Sequence, residues 1–312
     1  VAVATREDVI ACYRNILGRE PENEAVISFR IGSDLWDLIR EFSHSLEHSA
    51  RLNRHSCYSF RKFERSHYLA QSLSSAIRAS ALIHNYAELR RLLQAKYLTS
   101  LFDTGLLVIE GLADCRALII SAHVCDQVVD EGEITIIATN FGLRLAYISF
   151  TIVDGSDFGF NDKSAILISR IHGCVGVGEH IKSVCRDLGD MPIQHLLVSV
   201  AEGVALSLGI KRVIGVEAVN HPAFVQDSFD RFVKSYDDLF LTLGAETGPS
   251  GFYHYDLPRV DRPLGPNSKH RSRRRARRTL RRAVALQAEL QWSKYLRIAS
   301  PEQSVFEIAP GR

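Results

Sequence analysis

The sequence predicts an α+β (or α/β) protein: a small helical N-terminal module, then a mixed, partly antiparallel sheet with packed helices. Three observations predict it. Apolar residues recur at helical spacing from residue 5 to about 52 and again over 69–97. From Gly105 the period changes to two, and four short segments read as strands: 106–109, 117–124, 133–138 and 145–153. Finally, 165–171 and 213–219 are near-continuous β-branched and apolar runs, the mark of strands covered on both faces.

Each element has its own justification. Val9, Ile10, Tyr13, Ile16 and Leu17 form an apolar stripe that Gly18 ends. Pro21 suits the start of a second helix over 22–31, Gly32 and Ser33 break it, and Asp34 caps a third through Trp36, Leu38, Ile39 and Phe42. A polar, aromatic-flecked join at 55–63 divides the chain into a module at 1–55 and a larger domain at 60–312. Over 69–97, Leu73, Ile77, Leu82, Tyr86, Leu89 and Leu93 give one or two amphipathic helices. His84 beside that stripe reads as a core-edge histidine, because no ligand with metal spacing accompanies it.

The four strands are separated by turn chemistry at Asp114, Glu131-Gly132, Asn140-Phe141-Gly142 and Asp154-Gly155-Ser156. Strands joined so tightly pair antiparallel. The 165–171 strand then enters a glycine turn and a helix built on Leu196, Leu197, Val200, Val204, Ala205 and Leu208, which Gly209 stops. Reaching 213–219 through helices requires a right-handed crossover and a parallel pair. Helices at 224–233 and 237–243, a strand in FYHYDLP and a last helix from Asn267 or Ser268 to about Arg297 complete the chain.

The net charge of +2 over 312 residues hides an asymmetry. Nine of the 38 Lys and Arg lie between Lys269 and Arg282 without an acid, leaving 29 against 36 acids elsewhere, a body of about −7. No run of ~18 apolar residues predicts a membrane span. The six cysteines show no CxxC pair and no zinc spacing, so they read as reduced thiols, with a cytoplasmic location and no metal site as the expectation.

The basic run, with Lys269, Arg271, Arg274, Arg278 and Arg281 as its anion contacts, has three readings. It docks on the acidic body by ion pairs, meets an anionic lipid or membrane surface, or binds nucleic acid. Nucleic acid ranks last because no aromatic residue interleaves for base stacking. Arg274, Arg278 and Arg281 are expected along one face, with Ala276, Leu280 and Ala283 along another. His172 and His221, near the ends of the two core strands, are the candidate general bases, with Glu217 and Glu133 as orienting carboxylates. Gly173, Gly176 and Gly178 form a GxxGxG turn, which either cradles a phosphate on backbone N–H groups or serves a tight turn with positive φ.

Three resemblances add to this. Tyr13, Leu17-Gly18-Arg19 and Pro21, followed by Glu41-Phe42-Ser43-His44-Ser45-Leu46-Glu47, resemble a short helical domain with a YxxxLGRxP signature and, distantly, phycobilisome-linker modules. That likeness implies an adaptor and a protein partner for the N-terminal module. Over about 60–290 the chain resembles the VirK/YbjX family. The likeness rests on His84-Asn85-Tyr86, Glu131-Gly132-Glu133, Tyr147 to Phe150, Ile168 to Gly173, Tyr236-Asp237, Gly251-Phe252 and Ser268 to Arg271 in order. It implies an accessory protein supporting envelope integrity, antimicrobial-peptide resistance or virulence in a Gram-negative bacterium, cytoplasmic or peripheral at the inner membrane. Two departures stand out. His172 occupies the family's usual Gln position, and Gly189-Asp190-Met191-Pro192 replaces Gly-Leu-Arg-Pro, losing a base. Thirdly, the glycine turn resembles the pyrophosphate-binding turn of GCN5-related acetyltransferases, with Gly173 where Gln or Arg stands there. That implies an acyltransferase-like enzyme using acyl-CoA or an acyl carrier as the alternative function.

Overall fold

The structure, a computed structural model, describes residues 3–52, 60–112, 115–124, 131–248, 251–261 and 271–297. The N-terminal helices are α1 (Arg6–Cys12), α2 (Glu24–Arg30), α3 (Leu35–Ser43) and α4 (Leu46–Leu52). Thr5 and Asp8 form a capping box on α1, and a π-turn at Tyr13–Leu17 carries the chain to Gly18 at φ +77°. Asn23 rather than Pro21 sets the start of α2, because its side chain accepts the Val26 N–H. Asp34 caps α3 as its position in the sequence requires.

A 3₁₀ turn at Phe60–Glu64 leads to α5 (Ser75–Leu92) and α6 (Ala95–Asp103). The N-terminal helices share one contiguous core with α5: Asn15 donates to the Ile83 carbonyl at 3.4 Å, and Trp36 packs edge-on against Phe63.

The sheet follows: β1 (Leu106–Leu112), β2 (Cys115–Val124), β3 (Ile134–Asn140), β4 (Leu143–Val153) and β5 (Ala165–Gly173) form an antiparallel meander. Two helices, α7 (Gly178–Asp187) and α8 (Ile193–Ser207), cross to β6 (Arg212–Val216), which pairs parallel with β5. The short helices α9 (Phe229–Ser235) and α10 (Asp237–Leu243), a two-residue β7 (Glu246–Thr247) and β8 (Phe252–Asp256) complete the sheet in the order β1-β2-β3-β4-β5-β6-β8-β7. This is the mixed, partly antiparallel sheet of an α+β protein. β4 is buried without alternation from Ile148 to Val153, which a strand shows when both faces are covered, and α5 and α8 both pack on it.

The last helix, α11 (Arg271–Ser293), lies across α8 and reaches β1. Leu280, Val284, Ala288 and Trp292, four residues apart, are its inward stripe. Gly203 of α8 permits the crossing: a Cβ there would stand 2.1 Å from the Ala285 carbonyl oxygen.

Two expectations are corrected. β6 ends at Val216 and not 219, because Ala218–Asn220 turn in a 3₁₀ helix, with Asp237 accepting the Ala218 N–H at 2.8 Å. His221 therefore follows a turn and does not end a strand. The helix expected over 224–233 forms only from Phe229.

Candidate functional site

Two places gather the chemistry. The first is the end of β5. β5 and β6 pair only from Ile166↔Val213 to Ile168↔Gly215, after which β5 keeps β4 alone as neighbour as far as Gly173. His221 and Tyr236 close the resulting notch. His221 is 2% exposed, its ring tilted against Tyr236 at 4.4 Å and Phe232 at 5.1 Å between centroids. Its Nδ1 accepts the Ala223 N–H at 3.1 Å, so the ring carries its proton on Nε2. Burial, with the Arg170 charge second, pulls its pKa down to about 3. Tyr236 takes its hydrogen bond from the Ile171 backbone, and burial pushes it up to about 12. Both are neutral over the physiological range, and His221 is too weak a base for proton abstraction near pH 7.

His172 differs. It is exposed, stacked on Tyr147 at 5.8 Å, and held below the usual histidine range by desolvation and by Arg170. Arg170 lies over the Tyr147 ring and is paired with Glu131. His172 and His221 are close enough for their charges to interact.

The two proposed carboxylates do not join them. Glu133 is 1% exposed and hydrogen-bonded by Lys62 at 2.8 Å, Tyr68 at 2.7 Å and Tyr86. Glu217 hydrogen-bonds Asn220 and lies against Gly251; burial and then Asp237 raise its pKa. A pair of residues four apart in sequence is separated here by the 3₁₀ turn.

Beyond His172 the glycine turn is open. Gly176 sits at φ +82°, which accounts for a glycine there by turn geometry alone. Gly178 opens α7 in ordinary backbone with no heavy atom within 4 Å of a would-be Cβ, and no side chain caps that helix. A Cβ at Gly173 would stand 3.4 Å from Ile181 Cδ1, in ordinary contact.

The second place is the N-terminal half of α11. Arg271, Arg275, Arg278 and Arg282, spaced four, three and four, line an open groove of about 850 Å³ together with Ser272, Thr279 and Asp261. Asp261 pairs with Arg281 at 2.6 Å, Arg282 at 2.9 Å and Arg278 at 3.5 Å. One carboxylate thus serves three guanidinium groups, and the groove keeps an excess of positive charge. Arg273 pairs with Asp190 and Arg277 donates to the Gly189 carbonyl at 3.4 Å, so the turn between α7 and α8 holds the basic helix. The positive field reaches inward. His195 is pulled down to about 4 by burial, then by Arg259, Arg281 and Arg277.

Arg278 and Arg281, expected on one face with Arg274, both meet Asp261, and Arg278 lines the groove with Arg271, Arg275 and Arg282. Lys269 lies outside the described residues. Sequence reading passed over Arg275 and Arg282, although the four-three-four spacing was present in the basic run. Nothing local marks Asp261, which is seventeen residues from Arg278.

Among the described residues no helix is long and apolar enough to cross a membrane, and no His, Cys, Asp and Glu cluster could hold a metal ion. The family model described as "Protein of unknown function (DUF535)" matches residues 32–289. No curated protein and no solved structure matches the chain.

Proposed function

From the premise that this chain belongs to the DUF535 family, we propose that it is an accessory protein that holds a phosphate-bearing, anionic partner in the arginine groove of α11. The observation that carries this is the groove itself: four arginines on one stripe against the single carboxylate of Asp261. Its ion pairs to the acidic body consume part of the basic run, as docking requires, and leave Arg271 and Arg275 exposed. The VirK/YbjX resemblance supports a setting at the bacterial envelope, from the cytoplasmic side and peripheral to the inner membrane. An exposed arginine near an anionic surface contributes ~1 kcal/mol.

The test is sedimentation with phosphatidylglycerol vesicles. Arg275→Glu with Arg278→Glu lowers partitioning roughly tenfold or more at low salt, whereas Lys96→Glu with Arg116→Glu, an equal charge change off α11, has much less effect. Binding of the native protein weakens as salt rises. Equal losses in the two double variants, or native binding indifferent to salt, overturn the reading.

A second reading has its own observation. β5 leaves β6 after Ile168 and runs on to an uncapped helix start with an unhindered Gly178. Together with the order of antiparallel strands, core strand, glycine turn, helix and strand, this supports a GCN5-acetyltransferase-like arrangement. An acyl-CoA phosphate would meet the 176–178 backbone, with His172 rather than His221 as the base. A donor at 100 times its dissociation constant adds about 2.7 kcal/mol of stability, visible in a thermal-shift panel. Gly178→Val, which has room for its side chain, abolishes that shift. A flat panel with acetyl- and longer acyl-CoAs removes this reading.

A further inference from the structure

The arginine groove does not stop at Arg282. A second groove of about 240 Å³ shares Asp261, Arg278 and Arg282 with it and continues along α11 toward Glu289. Its walls are largely apolar: Leu206 of α8, Leu257 and Pro258 beyond β8, and Ala285 and Leu286 of α11. The charged groups at its base already have partners. Glu202 accepts from Tyr255 at 3.0 Å and pairs with Arg259 at 3.2 Å, and Arg281 is held by Asp261. A cationic trough therefore opens lengthwise into an apolar one, and the two chemistries are joined end to end.

A free phosphate would occupy the first trough and leave the second wetted. A flat membrane surface would set its phosphates against the guanidinium groups of the open first trough and leave the apolar one uncovered. A single amphiphile satisfies both at once, with its phosphate desolvated among guanidinium groups and its chain removing apolar wall from water. We propose that the joined grooves bind one molecule of a phosphate monoester carrying a single alkyl or acyl chain. The phosphate lies among Arg271, Arg275 and Arg278, and the chain lies against Leu206, Leu257 and Leu286. The proposal rests on the anion-binding reading of α11 and specifies its ligand class. From Arg282 to Glu289 the helix rises about 10 Å, the length available to the chain. Glu289 at the far end disfavours a second anionic group there.

Isothermal titration of the full chain with inorganic phosphate and with butyl, hexyl and octyl phosphate tests this. Each methylene seated in the groove raises affinity about fourfold, and the gain levels off once the chain outruns the groove. Leu286 is 53% exposed, so Leu286→Asp leaves the fold intact; it flattens the series while inorganic phosphate binds as before. Leu206→Gln does the same from the α8 side. Arg278→Gln weakens every member by a similar factor. A flat series with phosphate still bound overturns the chain site and spares the anion reading. Failure of all four phosphates to bind overturns both as placed in this groove.

Discussion

Lys62→Met lowers stability by about 3–5 kcal/mol, seen as a fall in melting temperature of roughly 5–8 °C. Lys62 and Glu133 are 2% and 1% exposed, with Nζ 2.8 Å from Oε1. Neither group reaches water. Removing the ammonium leaves a carboxylate in the interior with two phenol donors, Tyr68 and Tyr86, and no ion-pair partner among the described residues. The cost is that of an uncompensated buried charge, which exceeds the worth of the pair itself. The double variant Lys62→Met with Glu133→Gln therefore recovers more than half of the loss, because the neutral amide needs no counter-charge, accepts from one tyrosine through its oxygen and donates to the hydroxyl oxygen of the other through its NH2. A double variant no more stable than Lys62→Met alone would show that packing, and not charge, sets the effect. The consequence for function is positional: this network ties the 60–68 segment and α5 to β3, beside the Glu131–Arg170 pair.

Gly203→Ala costs about 1–3 kcal/mol, and Gly203→Val costs more. The ideal Cβ would meet the Ala285 carbonyl oxygen at 2.1 Å and the Ala288 Cβ at 2.9 Å. The near obstacle is backbone, so no side-chain rotation relieves it and α11 must move off α8. Moving α11 draws Arg278 and Arg281 away from Asp261 and opens the wall formed by Ala285 and Leu286. Vesicle binding by α11 falls along with the melting temperature in both variants. Thermal melts within one degree of the native protein would mean that the helices do not cross so closely.

These two sites lie beyond what the sequence made legible, and other features lie within it. The β1–β4 meander, the buried run of β5, the Asp34 cap and the stop of α8 at Gly209 (φ +74°) follow from local pattern and cap chemistry. The resemblance residues Asn85, Tyr86, Glu131, Glu133 and Arg170 prove to be part of the polar framework of the sheet. Asn85 accepts the Ile152 N–H at 3.0 Å, and the others form the ion pairs and hydrogen bonds already described. Their roles could not be read in advance, since Lys62 and Glu133 stand 71 residues apart.

The same holds for the histidines. The sequence alone placed His172 and His221 at the ends of two core strands and made them equivalent as candidate bases; His221 in fact follows a 3₁₀ turn. Tertiary packing separates them: Phe232 of α9 and Tyr236 at the α9–α10 junction seal His221, and burial pulls its pKa to about 3, while His172 stays at the surface on Tyr147.

For this protein the sequence by itself determined the elements, the parallel β5–β6 crossover and the concentration of positive charge in one helix. These depend on residues a few positions apart, where periodicity and capping act. Only the tertiary structure decided which arginines share a groove, that Asp261 partly neutralises them, and that an apolar trough continues from it. Those facts arise where α8, α11 and the segment after β8 converge, and desolvation and charge there depend on distances in space that no local pattern encodes.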